Sequence, residues 1–164
     1  MIDALRIDVV ELRRKPATRR SFRREATVPN LVVGSTFVPD DEPVRVALDL
    51  ESVSNGVVVA GTVHAPWEGE CRRCLEPIRG TLEVEVHEVF TGEGDPDETY
   101  PIEGDEIDLR PMVRDAVLLN LPHAPLCRAE CRGPDPERYP ATVQGDQGPV
   151  DRRWAPLSEL RFND

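Results

Sequence analysis

With 164 residues, 39% of them hydrophobic and only 5% aromatic, the chain has material for one mainly aliphatic core and little beyond it. No apolar run follows a basic start at Met1-Ile2-Asp3-Ala4-Leu5-Arg6, and no stretch approaches the length of a membrane span, so a cytoplasmic protein without a membrane partner is expected. The net charge of −11 is unevenly spread: residues 1–24 hold eight bases against three acids, a balance of +5, and the remainder holds twelve against twenty-eight, −16.

Leu5-Arg6-Ile7-Asp8-Val9 alternates apolar and charged residues and predicts a short, half-exposed strand. Glu11-Leu12-Arg13-Arg14 follows as a helical turn, Pro16 breaks it, and Ala17 to Thr27 is polar enough to predict a segment that is mobile until a partner orders it. Arg13, Arg14, Lys15, Arg19, Arg20, Arg23 and Arg24 make this a basic arm on an acidic body. Its charge is nearly all arginine, whose planar fork matches a phosphate group, and these seven are the candidate nucleic-acid contacts. An ordinary solvated connector is the plain alternative.

The next region reads as sheet. Val44, Val46, Leu48 and Leu50 alternate with Arg45, Ala47, Asp49 and Glu51, and a β-branched run from Val57 to Val63 follows Asn55-Gly56. Asn and Gly both tolerate positive φ, so this dipeptide between two such runs predicts a hairpin. A further strand is expected with Ile78, Leu82, Val84, Val86 and Phe90 on one face and Arg79, Thr81, Glu83, Glu85 and His87 on the other.

Cys71-Arg72-Arg73-Cys74 falls in the connection before that strand and is matched downstream by Cys127-Arg128-Ala129-Glu130-Cys131; these are all the cysteines in the chain. Two close pairs separated by a long insert suit a four-thiolate zinc site, since each short spacing lets a backbone knuckle aim two sulfurs at one tetrahedral ion. One structural zinc held by Cys71, Cys74, Cys127 and Cys131 is therefore expected. Unrelated buried thiols, a disulfide framework and a thioredoxin-type redox pair are the competing readings. The last needs a helix directly after the pair, and Glu76-Pro77 with a resumed strand pattern speaks against one.

From Gly92 to Asp108 the chain carries eight acids and no base among scattered Gly and Pro, which predicts a solvated loop without the ligand spacing of a calcium-binding loop. Asp108 is the expected cap of a helix running from Leu109 to Leu121 and stopped by Pro122, with Met112, Val113, Ala116, Val117 and Leu119 on its packed side. His123, like His64 and His87, reads as a surface histidine. After Cys131, prolines 134, 136, 140 and 149 and glycines 133, 145 and 148 predict an irregular segment, with Trp154, Leu157 and Leu160 as a short docking anchor. No phosphate-binding glycine loop or GxSxG sequence offers a catalytic set.

Several blocks in this order resemble the YceD family, the large ribosomal RNA subunit accumulation proteins. They are Asp8-Val9-Val10-Glu11-Leu12-Arg13-Arg14-Lys15-Pro16, Leu50-Glu51-Ser52-Val53, Gly69-Glu70-Cys71-Arg72-Arg73-Cys74-Leu75, Ile107-Asp108-Leu109 running to Leu121-Pro122, Cys127 with Cys131, and Asp151-Arg152-Arg153-Trp154-Ala155-Pro156-Leu157. The resemblance implies a bacterial cytoplasmic factor needed for normal levels of large-subunit ribosomal RNA, with metal and nucleic-acid binding suspected. Many relatives continue after the second pair with Gly-Leu-Cys-Pro-x-Cys-Gly, where this chain has Arg132-Gly133-Pro134-Asp135-Pro136-Glu137.

The expected architecture is α+β, mainly antiparallel sheet with one packed helix and a zinc-type clasp, divided as a basic strand and arm over 1–30, a core over 31–132 and an irregular tail over 133–164. The expected function is that of a non-enzymatic factor in ribosome biogenesis that binds ribosomal RNA or a pre-ribosomal particle through the arm. A zinc-stabilised interaction module contacting ribosomal proteins without touching RNA is the alternative.

Overall fold

The computed structural model describes residues 4–15, 17–95, 98–139 and 153. Its spine is a long hairpin of β6 (Gly56–Glu70) and β7 (Pro77–Thr91), paired without interruption from Gly56↔Thr91 to Glu70↔Pro77. β5 (Val44–Val53) joins β6 in the expected hairpin and runs antiparallel to its first half, but the two-residue turn is Ser54-Asn55, closed by the Val53↔Gly56 pair, and neither Asn55 nor Gly56 takes positive φ. Gly61 lies at φ +148° where a Cβ would fall 2.2 Å from the carbonyl oxygen of Ala47, so the close β5–β6 approach depends on the missing side chain.

On one flank of the spine, β8 (Tyr100–Glu103) runs parallel to β7, β9 (Glu106–Asp108) pairs β8, and β1 (Arg6–Asp8) closes the edge against β9. On the other flank, β3 (Val32–Val33) and β4 (Thr36–Phe37) form a small ladder attached to β6 at Glu68. Among the described residues two helices accompany the sheet, α1 (Val10–Arg14) and α2 (Arg110–Asn120). The core between them is aliphatic, as the composition requires: Leu48, Leu50, Val57, Val59 and Val63 from the sheet meet Met112, Val113 and Val117 of α2 and Leu5, Val9 and Leu12 of the N-terminal segment. Phe90 is fully buried and stacks on Tyr100 with ring centroids 5.2 Å apart.

Four further expectations are corrected. The polar run after Pro16 is not an irregular arm but a strand, β2 (Arg19–Ala26), in full antiparallel register with β5 from Arg19↔Glu51 to Ala26↔Val44. Backbone pairing to a buried neighbour, with Phe22 as a single apolar anchor, outweighs the local polarity. The acidic stretch after Gly92 is not all loop, because Ile102 and Ile107 pair across β8 and β9 and Ile107 is fully buried. Leu109, not Asp108, occupies the cap position of α2, while the Asp108 carboxylate accepts the backbone N–H of Arg110 at 2.9 Å. Leu119 is 79% exposed, whereas Leu118 packs partly on the core in its place. Residues 133–139 carry no helix or strand, in line with the irregular segment expected there; Trp154, Leu157 and Leu160 lie outside the described residues.

Candidate metal centre and candidate nucleic-acid interface

Cys71 and Cys74 occupy the turn of the β6–β7 hairpin, so the ladder on both sides holds their backbone. Cys71 donates its N–H to the Glu76 carbonyl at 2.9 Å, and the N–H of Leu75 returns to the Cys71 carbonyl at 2.8 Å, closing a tight knuckle with Leu75 at φ 60°. No helix follows Cys74, so the dipole a thioredoxin-type pair relies on is missing here. The second pair is placed by the end of α2. The Thr36 hydroxyl donates to the Pro122 carbonyl at 2.8 Å and the N–H of Arg72 to that of Pro125 at 3.0 Å, tying the segment after the helix to β4 and to the first knuckle. Arg73 spans the two knuckles, its guanidinium donating to the carbonyls of Cys131 at 2.8 Å and Ala129 at 3.3 Å.

The four sulfurs lie within 4.8 Å of one another, with Cys71 to Cys131 at 3.8 Å and Cys74 to Cys127 at 3.7 Å. All four cysteines are free, and a disulfide would require about 2.05 Å. A tetrahedron with metal–sulfur bonds of about 2.3 Å has edges of about 3.8 Å, so the two cross-knuckle distances already match the edge of a thiolate cage. The four cysteines could hold one metal ion. His123, His64 and His87 are not part of the set.

The electrostatics of the free thiols fit such a cage. The backbone N–H groups of Cys74 and Cys127 draw the Cys71 thiol down to about 6. Cys74 is pushed up to about 12: the backbone N–H of Glu76 favours its thiolate, but burial and hydrogen bonds with the other three sulfurs outweigh it. Burial, then the hydrogen bond with Cys131, raises Cys127 as well. The first thiolate forms readily and suppresses the next, the arrangement in which a divalent cation is needed to ionise the set.

The seven basic residues expected to act together are sorted by the strand that carries four of them. Arg19 and Arg23 lie on the face of β2 away from the core, with Ser21 between them, while Arg20 and Arg24 flank the buried Phe22 on the other face. Arg19 pairs with Glu51 at 2.8 Å, Arg20 donates to the Asp8 carbonyl at 3.4 Å, and Arg24 sits 5.2 Å over the Phe22 ring. Arg13 turns aside to the Gly104 carbonyl and Asp105. Arg14, Lys15 and Arg23 form no ion pair with any described residue. Two side chains outside the seven join this surface: Arg45 opposes Glu25 on one side and His64 on the other, which brings the guanidinium and the imidazole beside Arg23. Only the strand register could reveal them, since they lie some twenty and forty residues beyond the arm.

No helix among the described residues is long and apolar enough to cross a membrane. No solved structure matches the chain. An uncharacterized protein of Mycobacterium tuberculosis is 37% identical over 94% of this chain and 80% of its own length, and an uncharacterized protein of Mycobacterium leprae is 34% identical over 98% and 79%. The uncharacterized protein YlbN of Bacillus subtilis is 25% identical over 95% of this chain and 96% of its own. The family profile described as large ribosomal RNA subunit accumulation protein YceD matches residues 59–161, a span that contains all four cysteines, and the chain belongs to that family.

Proposed function

We propose that the protein is a non-catalytic factor in the accumulation of large-subunit ribosomal RNA, binding that RNA or a pre-ribosomal particle through the basic edge of its sheet and carrying one structural zinc ion in the cysteine clasp. The observation that carries the reading is the display of Arg14, Lys15 and Arg23 without carboxylate partners among the described residues, in a chain whose remainder is −16. Cations left unpaired amid so many acids are available to phosphates. Four thiolates around zinc leave no open position for water or substrate, which favours a structural ion over a catalytic one. The Arg19–Glu51 pair supports a second reading, in which the same arginines take carboxylates of a protein partner.

Titrating RNA binding against salt separates the two. For single-stranded RNA the logarithmic slope is expected to approach about −0.7 per phosphate contact, and replacing Arg19, Arg20, Arg23 and Arg24 by alanine flattens it. Absence of salt-dependent RNA binding, together with co-purification of ribosomal proteins, would replace the first reading by the second.

A further inference from the structure

The basic edge is divided into two clefts. One, of about 520 Å³, opens between α1 and β2 and is lined by Arg14, Lys15, Arg19 and Arg20. The other, of about 680 Å³, lies over the outer face of the sheet, where Arg23, Arg45, His64 and Thr81 converge from β2, β5, β6 and β7, with Glu25 of β2 also in the lining opposite Arg45. Their centres are about four residues apart along β2, roughly 14 Å for an extended strand. β2 pairs only with β5, so no strand among the described residues separates the two clefts at the sheet's rim.

Resting on the RNA reading, we propose that the two clefts form one track for single-stranded RNA, which crosses the rim of β2 from the α1 side to the outer face, and that Arg45 and His64 belong to it. The cations stand on both faces of one edge strand. A duplex carries its phosphates on a stiff cylinder and can lie against only one of those faces, whereas a single strand can bend over the rim and place successive phosphates on each. Acids flank the path, and Glu11 and Glu25 are the carboxylates that lie within its clefts, outnumbered there by the arginines. Asp49 and Glu51 stand on the same outer face toward the Ser54-Asn55 turn, and Glu83 and Glu85 stand on β7 beyond His64 and Thr62. The strip of the outer face left to phosphates is the one where Arg23 and Arg45 outnumber Glu25. A second copy of β2 is excluded as the occupant of this rim, because its arginines would meet these at close range.

The test is fluorescence anisotropy with the full chain, using a labelled oligouridylate of about twelve nucleotides and a blunt RNA duplex of matched length. The single strand is expected to bind at least about tenfold more tightly than the duplex at moderate salt, and Arg45→Ala is expected to reduce the salt slope by about 0.7. His64→Ala weakens binding further, and Arg128→Ala, in the exposed segment between Cys127 and Cys131, leaves it unchanged. Circular dichroism and Tm establish that each variant is folded. Equal affinity for duplex and single strand, or an unchanged slope in Arg45→Ala while loss of Arg19 and Arg20 abolishes binding, overturns the continuous track and leaves the RNA reading standing. Absence of binding by the unaltered protein, or displacement of the labelled RNA by polyglutamate as effectively as by unlabelled RNA, removes both.

Discussion

The two candidate regions lie on the same sheet and are built on opposite principles. At the turn of the β6–β7 hairpin, four side chains from distant parts of the sequence converge until their sulfurs touch, and the backbone around them is bonded shut. Along β2, adjacent side chains are driven apart onto two faces by strand alternation, and Arg23 keeps no ion-pair partner among the described residues. Arg19 stands level with Val58 through Glu51, thirteen residues and roughly 40 Å along the strand from Cys71. Convergence creates a site that saturates its own ligands; divergence leaves charge facing outward. The first suits a structural ion and the second an extended polyanion.

The largest expected effect lies at the clasp. Cys71→Ser, or chelation of metal from the unaltered protein, is expected to lower Tm by about 10 °C if the ion is held at about a thousand times its Kd. Elemental analysis should find one zinc per chain before chelation and none after it. Metal-free protein with an unchanged Tm would remove the contrast between the two regions. Replacing the arginines of β2 should leave Tm nearly unaltered while flattening the salt dependence of RNA binding.

The next effect is on pH dependence. A bound ion requires thiolates, and Cys74 and Cys127 are held protonated at neutral pH in the absence of metal, so binding releases at least their two protons. The sign follows: metal affinity falls as pH is lowered, by about a hundredfold or more per unit near neutrality. Competition with a chromophoric chelator from pH 8 to pH 6 measures it, and a flat profile would mean that the cage is not the binding site.

The smallest effects compare one arginine from each region. Arg73 donates to two carbonyls across the knuckles, so Arg73→Ala is expected to destabilise by about 1 kcal/mol and to speed metal release. Arg19 is exposed and its pair with Glu51 is largely screened, so Arg19→Ala should shift stability by no more than about 0.5 kcal/mol. Thermal melts and the rate of zinc transfer to a chelator distinguish them. If Arg19→Ala proves the more destabilising, the edge has a structural role that its exposure does not suggest.

What the sequence determined by itself was local and periodic. Asn55-Gly56 marked the hairpin between two strand patterns, although the turn itself falls on Ser54-Asn55 and takes no positive φ; the alternation from Val44 to Glu51 marked a one-sided strand, and the paired cysteines announced their spacing as knuckles. Pro122 set the end of α2 for the same kind of reason, the missing N–H and the restricted residue before it. Only the tertiary structure decided matters that depend on register and neighbours. β2 became a strand because β5 offered it a ladder, although its own composition argued for an open arm. Arg45 and His64 came beside Arg23 through pairings that no local window contains, and Leu119 faced solvent because the sheet lay on the opposite side of α2. The thiols of Cys71 and Cys131, sixty residues apart, came to 3.8 Å because a hairpin turn and a post-helix segment were tied together by backbone hydrogen bonds. Long-range pairing is a property of the packed chain, and its energy is absent from any short stretch read alone.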